Sequence, residues 1–199
     1  MPEQIFTASG AWLNGFYMLA VDLAQRSDAH SLEALNYIRT HPLIDGWYWE
    51  RDQEPAVQSR VEELTEVPDQ HLHGLLTLPS GHKVACGCLI YHFEEEEHWL
   101  ELYVPLGSVD RFHSTGAYPL VETEKDYEWQ RELDTALVAV ALSLYERIKF
   151  PDALVGFEPG YRNMSDLRIN AQCGLCPEEH PFGILWEGSD GLEWYPPTT

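Results

Sequence analysis

The sequence is short of cations: twelve Lys and Arg stand against 33 Asp and Glu, giving a formal net charge of −21. A field of that sign repels nucleic-acid backbones and anionic membranes and favours basic proteins or divalent cations, so neither nucleic acid nor membrane is an expected partner. Long apolar runs are missing too. No stretch approaches the ~18 apolar residues of a membrane span. The opening MPEQIFTASG carries neither a basic n-region nor a long apolar segment, which makes the cytoplasm the expected location. Cysteine is scarce, four residues in two pairs, Cys86/Cys88 and Cys173/Cys176. Without a secretory signal these read as reduced thiols or metal ligands, not as a disulfide framework. The motifs G-x-x-x-x-G-K-S/T, G-x-G-x-x-G after a strand, G-x-S-x-G and H-E-x-x-H are all absent. Common nucleotide hydrolysis, dinucleotide binding, α/β-hydrolase chemistry and zincin chemistry therefore lack motif support, and no catalytic residue is assigned.

Against these absences stand seven Trp, ten Tyr and seven Phe in a chain that is 44% hydrophobic, enough to build a core. No repeat or Gly/Ser linker divides the chain, so one domain spanning 1–199 is expected.

Tyr17, Leu19, Val21 and Leu23 alternate with Met18, Ala20 and Asp22, as in a strand following Gly15. Ser27 or Asp28 can cap a helix to Thr40 with Leu32, Ala34, Leu35 and Ile38 on its apolar face, stopped by His41-Pro42. Gly46–Trp49 reads as a short aromatic strand, and 51–69 as a loop with room for a helix at 56–64. Three strand-like runs, His71–Pro79, Lys83–Phe93 and His98–Val104, predict an antiparallel meander. Leu133, Leu137, Val140, Leu144 and Ile148 form one stripe of a helix ended by Pro151. A strand over Ala153–Phe157, a short helix over 162–170 and a hairpin of Phe182–Trp186 with Leu192–Tyr195 complete the pattern. The expected class is α+β: a central antiparallel meander (about 71–104) in a mixed sheet, packed by a long helix (about 126–149), with a C-terminal hairpin.

The meander's register decides its chemistry, because a one-residue slip exchanges a strand's faces. A two-residue turn at Ser80-Gly81 pairs 79 with 82 and sets His73 opposite Cys88. A four-residue loop, Glu94–Glu97, pairs 93 with 98 and sets Cys88 opposite Tyr103. One face then carries Leu72, Gly74, Leu76, Leu78, Ala85, Gly87, Leu89, Tyr91, Phe93, Leu100, Leu102 and Val104. Gly74 and Gly87 would meet there in a dip suited to the long helix. The other face gathers His71, His73, Cys86, Cys88, Glu101 and Tyr103. Imidazole, thiol and carboxylate converging in this way could hold a ligand or zinc, or do acid–base or nucleophilic work. The simpler alternative is a second packing surface with buried cysteines and hydrogen-bonded histidines.

Cys173-x₂-Cys176-x₃-His180 has a zinc-binding spacing, although no second C-x₂-C or histidine pair stands at the usual distance. A redox role or a plain cysteine-containing turn remains open. Glu94–Glu97 suits a solvated turn, since calcium loops need spaced ligands.

The element order resembles that of the acetyltransferase family, with its central meander followed by a pantetheine-binding helix, over most of the chain. That family marks the helix start with R/Q-x-x-G-x-G/A. Here Ser114-Thr115-Gly116-Ala117 lacks the first element, and Glu122, Glu124 and Asp126 would repel the cofactor's phosphates. The resemblance implies topology and not that activity.

The leading expectation is a non-catalytic acidic protein that engages a basic protein partner, as bacterial toxin-neutralising immunity proteins do. The alternative is a small enzyme, or a ligand- or zinc-binding protein, working from the His/Cys/Glu face of the meander.

Overall fold

The computed structural model describes residues 4–23, 27–92, 98–115, 128–159, 182–189 and 191–197. The alternation near the start forms β1 (Phe16–Asp22), with Tyr17, Leu19 and Val21 in the main core. Ser27 caps α1 (Asp28–Arg39), its side chain accepting the His30 N–H, and buries Ala34, Leu35 and Ile38. The chain continues through β2 (Ile44–Tyr48) and a single 3₁₀ turn at Pro55–Val57, in place of the helix expected at 56–64. Next come the meander strands β3 (Leu72–Thr77), β4 (Lys83–His92) and β5 (His98–Pro105), followed by the one-turn α2 (Leu106–Val109). The long helix is α3 (Glu128–Arg147), with Leu133, Leu137, Val140 and Leu144 buried as the spacing required. Strands β6 (Asp152–Phe157), β7 (Gly183–Gly188) and β8 (Gly191–Tyr195) follow, the last two forming the expected hairpin. The short helix expected at 162–170 lies outside the described residues.

Among the described residues, eight strands join one sheet in the order β2-β3-β4-β5-β1-β6-β7-β8. Every described pairing is antiparallel, so the sheet is not mixed as expected. The reason lies in β1. Strands β5 and β6, joined through α3, run parallel to one another, but β1 sits between them and pairs antiparallel with both. Helices α1 and α3 cover one face over the main apolar core. On the other face, the N-terminal segment brings Ile5 and Phe6 against Tyr48, Leu75 and Ala85. A second small cluster joins Ala20, Trp99, Leu154, Phe182 and Ile184 on that face. Among the described residues, no helix is long and apolar enough to cross a membrane.

The meander register differs from the expected one by a residue at both turns. The first turn has three residues, Pro79-Ser80-Gly81: Leu78 N–H donates to His82 O, Gly81 N–H donates to Leu78 O, and Gly81 takes φ +87°. His73 therefore pairs with Gly87, and Leu72 with Cys88. At the second turn His92 pairs with His98, so Cys88 faces Leu102 and Gly87 faces Tyr103. The two slips cancel for β3 and β5, whose faces are as expected. Strand β4 alone is inverted: Val84, Cys86, Cys88 and Ile90 enter the main core, while Ala85 and Gly87 turn to the other face. Gly74 meets Cys86, not Gly87, so the expected glycine dip under the long helix does not exist.

Candidate functional site

The expected six-residue constellation splits in two. Cys86 and Cys88 are free, buried thiols on the helix-covered face. Burial pushes both thiols up and keeps them protonated, and their face of the sheet separates them from the other four residues. His71, His73, Glu101 and Tyr103 remain together on the opposite face. Aromatic residues 47–49 serve packing at two of their positions, with Trp47 in the main core and Tyr48 edge-on to Phe6.

Gly87 makes the central contact. It lies between His73 and Tyr103 in one cross-strand row, and a Cβ there would stand 2.1 Å from Tyr103 Cζ. Only glycine lets the Tyr103 ring lie across β4 towards β3. The phenol hydroxyl then meets His71 Nδ1 at 2.6 Å, with the two rings edge to face. Burial holds Tyr103 well above the usual phenol range, so the hydroxyl keeps its proton and donates it to Nδ1. His71 is held below its ordinary pKa by burial and then by the nearby Arg51 charge, and it stays neutral with its proton on Nε2.

His73 is otherwise engaged. The Trp49 carbonyl can only accept, so His73 Nδ1 at 3.1 Å carries the proton. Trp12 packs edge-on against the ring, and burial lowers its pKa to about 4. The segment bearing Trp12 is tied down at Glu54, whose carboxylate accepts the backbone N–H groups of Ile5, Phe6 and Thr7. Burial alone would raise the Glu54 pKa, but these bonds hold it below the ordinary value.

Glu101 is the unusual member. Its sheet neighbours on either side are Leu89 and Ala20, neither of which can solvate a charge. The residue is 6% exposed, and among the described residues its carboxyl has no hydrogen-bond partner. Burial raises its pKa to about 7. Glu101, His71 and Tyr103 line a cleft of about 340 Å³ together with Arg51, Phe16, Met18, Tyr91, Glu158 and Pro159. The size lies at the lower end of small-ligand sites, about 300–1,000 Å³. The described lining holds no hydroxyl or thiol nucleophile of the Ser, Thr or Cys type. It offers a carboxyl that titrates near neutrality, a neutral imidazole and a guanidinium.

Arg51, Phe16 and Met18 gave no functional signal in the sequence. Glu158 lies on the loop just after β6, where functional residues concentrate. It also bonds the chain to β1: its Oε1 accepts the Phe16 N–H at 3.3 Å and its own N–H donates to Phe16 O. Cys173, Cys176 and His180 lie outside the described residues, as does part of the segment compared with the acetyltransferase signature.

Comparison of this chain with protein-family models, with curated proteins and with solved structures finds no match in any of the three.

Proposed function

We propose that the protein is a non-catalytic cytoplasmic binding protein that engages a basic protein partner through its acidic surface, in the manner of toxin-neutralising immunity proteins. The observation that carries this reading is the charge. With 33 acidic and 12 basic residues, 21 carboxylates lack a Lys or Arg partner even under one-to-one pairing. Some of the excess sits on one anchored loop. Glu62, Glu63, Glu66 and Asp69 are exposed on one loop, and among the described residues none of the four has an ion-pair partner. Asn36 pins that loop from α1, donating to Leu64 O at 2.9 Å and accepting the Leu64 N–H at 3.2 Å. Val61 N–H anchors it again on Trp47 O. Carboxylates carried on an anchored backbone steer a cationic partner, and that backbone needs little further ordering on binding. The inversion of β4, which takes both thiols away from the second face, also favours binding over catalysis.

The test is capture from cell lysate by the immobilised full chain at low and at high salt. A basic protein retained at low salt and released at high salt supports the reading, provided the Glu62→Gln/Glu63→Gln/Glu66→Gln/Asp69→Asn variant retains markedly less. Retention of nothing, or of a non-basic protein indifferent to salt, overturns it.

The cleft favours a second reading. A buried Glu101 carboxyl without a described partner, facing a cleft that also holds Arg51, suits a small polar ligand carrying both charges. Thermal-shift screening against amino acids tests this: a stabilising hit lost in both Glu101→Gln and Arg51→Gln supports it, and a panel without such a hit contradicts it.

A further inference from the structure

At the far end of the meander the sheet brings together imidazoles that play no part in the cleft. His92 and His98 are the last cross-strand pair of β4 and β5, and His92 Nδ1 stands 3.2 Å from His98 Nε2. Asp28, the first residue of α1, completes a cluster in which one ligand atom from each residue lies within 4.8 Å of the others. We propose that Asp28, His92 and His98 form a binding site for a divalent transition metal of the zinc class.

Three observations support it. The first is spacing: two nitrogens on one tetrahedral zinc stand about 3.3–3.4 Å apart, given Zn–N bonds of about 2.0–2.1 Å. The observed 3.2 Å is therefore close to the metal-bound distance. The second is orientation. Ser31 Oγ lies 3.0 Å from His98 Nδ1 and is itself fully buried in α1. With Nδ1–H donated to Ser31, the lone pair of His98 sits on Nε2, the atom that faces His92. His98 is also fixed through its backbone, since Leu23 N–H donates to His98 O. The third is access: His92 and Asp28 are exposed and His98 half-buried, so an ion reaches the site without unfolding.

Without metal, the short contact needs a proton between the rings, and His92 Nδ1–H donates it to His98 Nε2. Metal entry displaces that proton from His92 Nδ1, the neutral ring takes one up on its exposed Nε2 through solvent, and both facing nitrogens turn towards the ion. The N-terminus of α1 opposes a cation, but the Asp28 carboxylate and the chain's −21 charge offset it. Three protein ligands leave a fourth position for water. The bound ion would tie α1 to the end of the β4–β5 hairpin.

The experiment uses the chelator-stripped full chain, titrated with Zn²⁺ by calorimetry and with Co²⁺ by absorption. The expected result is saturable binding of one ion at this site. The cobalt spectrum should show d–d bands without the intense sulfur-to-metal charge transfer that thiolate ligation produces. His92→Ala, an exposed position that leaves the core intact, should weaken binding by more than about tenfold, and Ser31→Ala by a smaller factor. The Cys173→Ser/Cys176→Ser/His180→Ala variant should bind as wild type does. No saturable binding, a thiolate spectrum, or binding unchanged in His92→Ala overturns the site.

Discussion

Tyr103 lies across Gly87 from the neighbouring strand, and its hydroxyl meets Nδ1 of His71 at 2.6 Å. One missing Cβ lets β5 reach across β4 to the residue that leads into β3. The contact orients the imidazole that forms part of the cleft wall, and it depends on β4 turning Gly87 to this face.

Gly87→Ala should therefore displace the phenol and break its bond to His71. The overpacking cost is about 1–3 kcal/mol, read as a shift in the denaturant midpoint. Tyr103→Phe should cost less, about 1 kcal/mol, because it removes the hydrogen bond alone. In a Tyr103→Ala background the alanine at 87 should add little, since the ring it strikes is gone. Equal costs in both backgrounds would contradict the contact.

Glu101 predicts a pH dependence with a definite sign. Its folded pKa of about 7 lies above the ordinary carboxyl value, so between roughly pH 4.5 and 7 the folded state binds the proton and the unfolded state releases it. Stability should fall as pH rises through that window and level off above it. Glu101→Gln should remove this component, leaving the variant more stable than wild type at pH 8 by up to about 3 kcal/mol, with the gap closing below pH 4.5. Asp134, raised to about 6 by burial despite the Tyr17 hydroxyl bonded to it, slopes the same way but is common to both proteins. Chemical denaturation across pH measures the difference, and a pH-independent gap would refute it.

Cys86 and Cys88 should resist thiol reagents in the native state. In a Cys173→Ser/Cys176→Ser background, a disulfide-exchange reagent should label neither until denaturant opens the core. Fast native labelling would place β4 in the other register.

Asn36→Ala should release the loop that carries Glu62, Glu63, Glu66 and Asp69. Losing its two bonds to Leu64 costs about 1–3 kcal/mol. Backbone amide exchange near Leu64 should quicken, while exchange in β4 and β5 stays protected. Unchanged exchange at Leu64 would show that Asn36 does not hold the loop.

Strong periodicity made most of the architecture legible in the sequence. The Leu133–Ile148 stripe, the Ser27 cap and the alternation in β1 each rest on a local pattern that tertiary packing reinforced. The meander's faces were legible for β3 and β5 and not for β4. Cysteine, alanine and glycine at 85–88 are small residues that either face accepts, so hydrophobicity could not reveal the slip. The decision lay in turn length: Pro79 joined the first loop, and the second took five residues where four were expected. The cleft was legible only in part. Glu101, His71 and Tyr103 were named from the register, but Arg51 arrives from a loop whose path no local pattern encodes. The pairing of His92 with His98 likewise depended on the second turn.

The acidic-partner reading is tested most directly by how the association rate with the captured basic protein varies with ionic strength. The account predicts a rate that falls steeply as salt screens the field, with a shallower slope when Glu62, Glu63, Glu66 and Asp69 are neutralised. A rate that stays flat with salt, or a slope unaffected by neutralising those four residues, would contradict it.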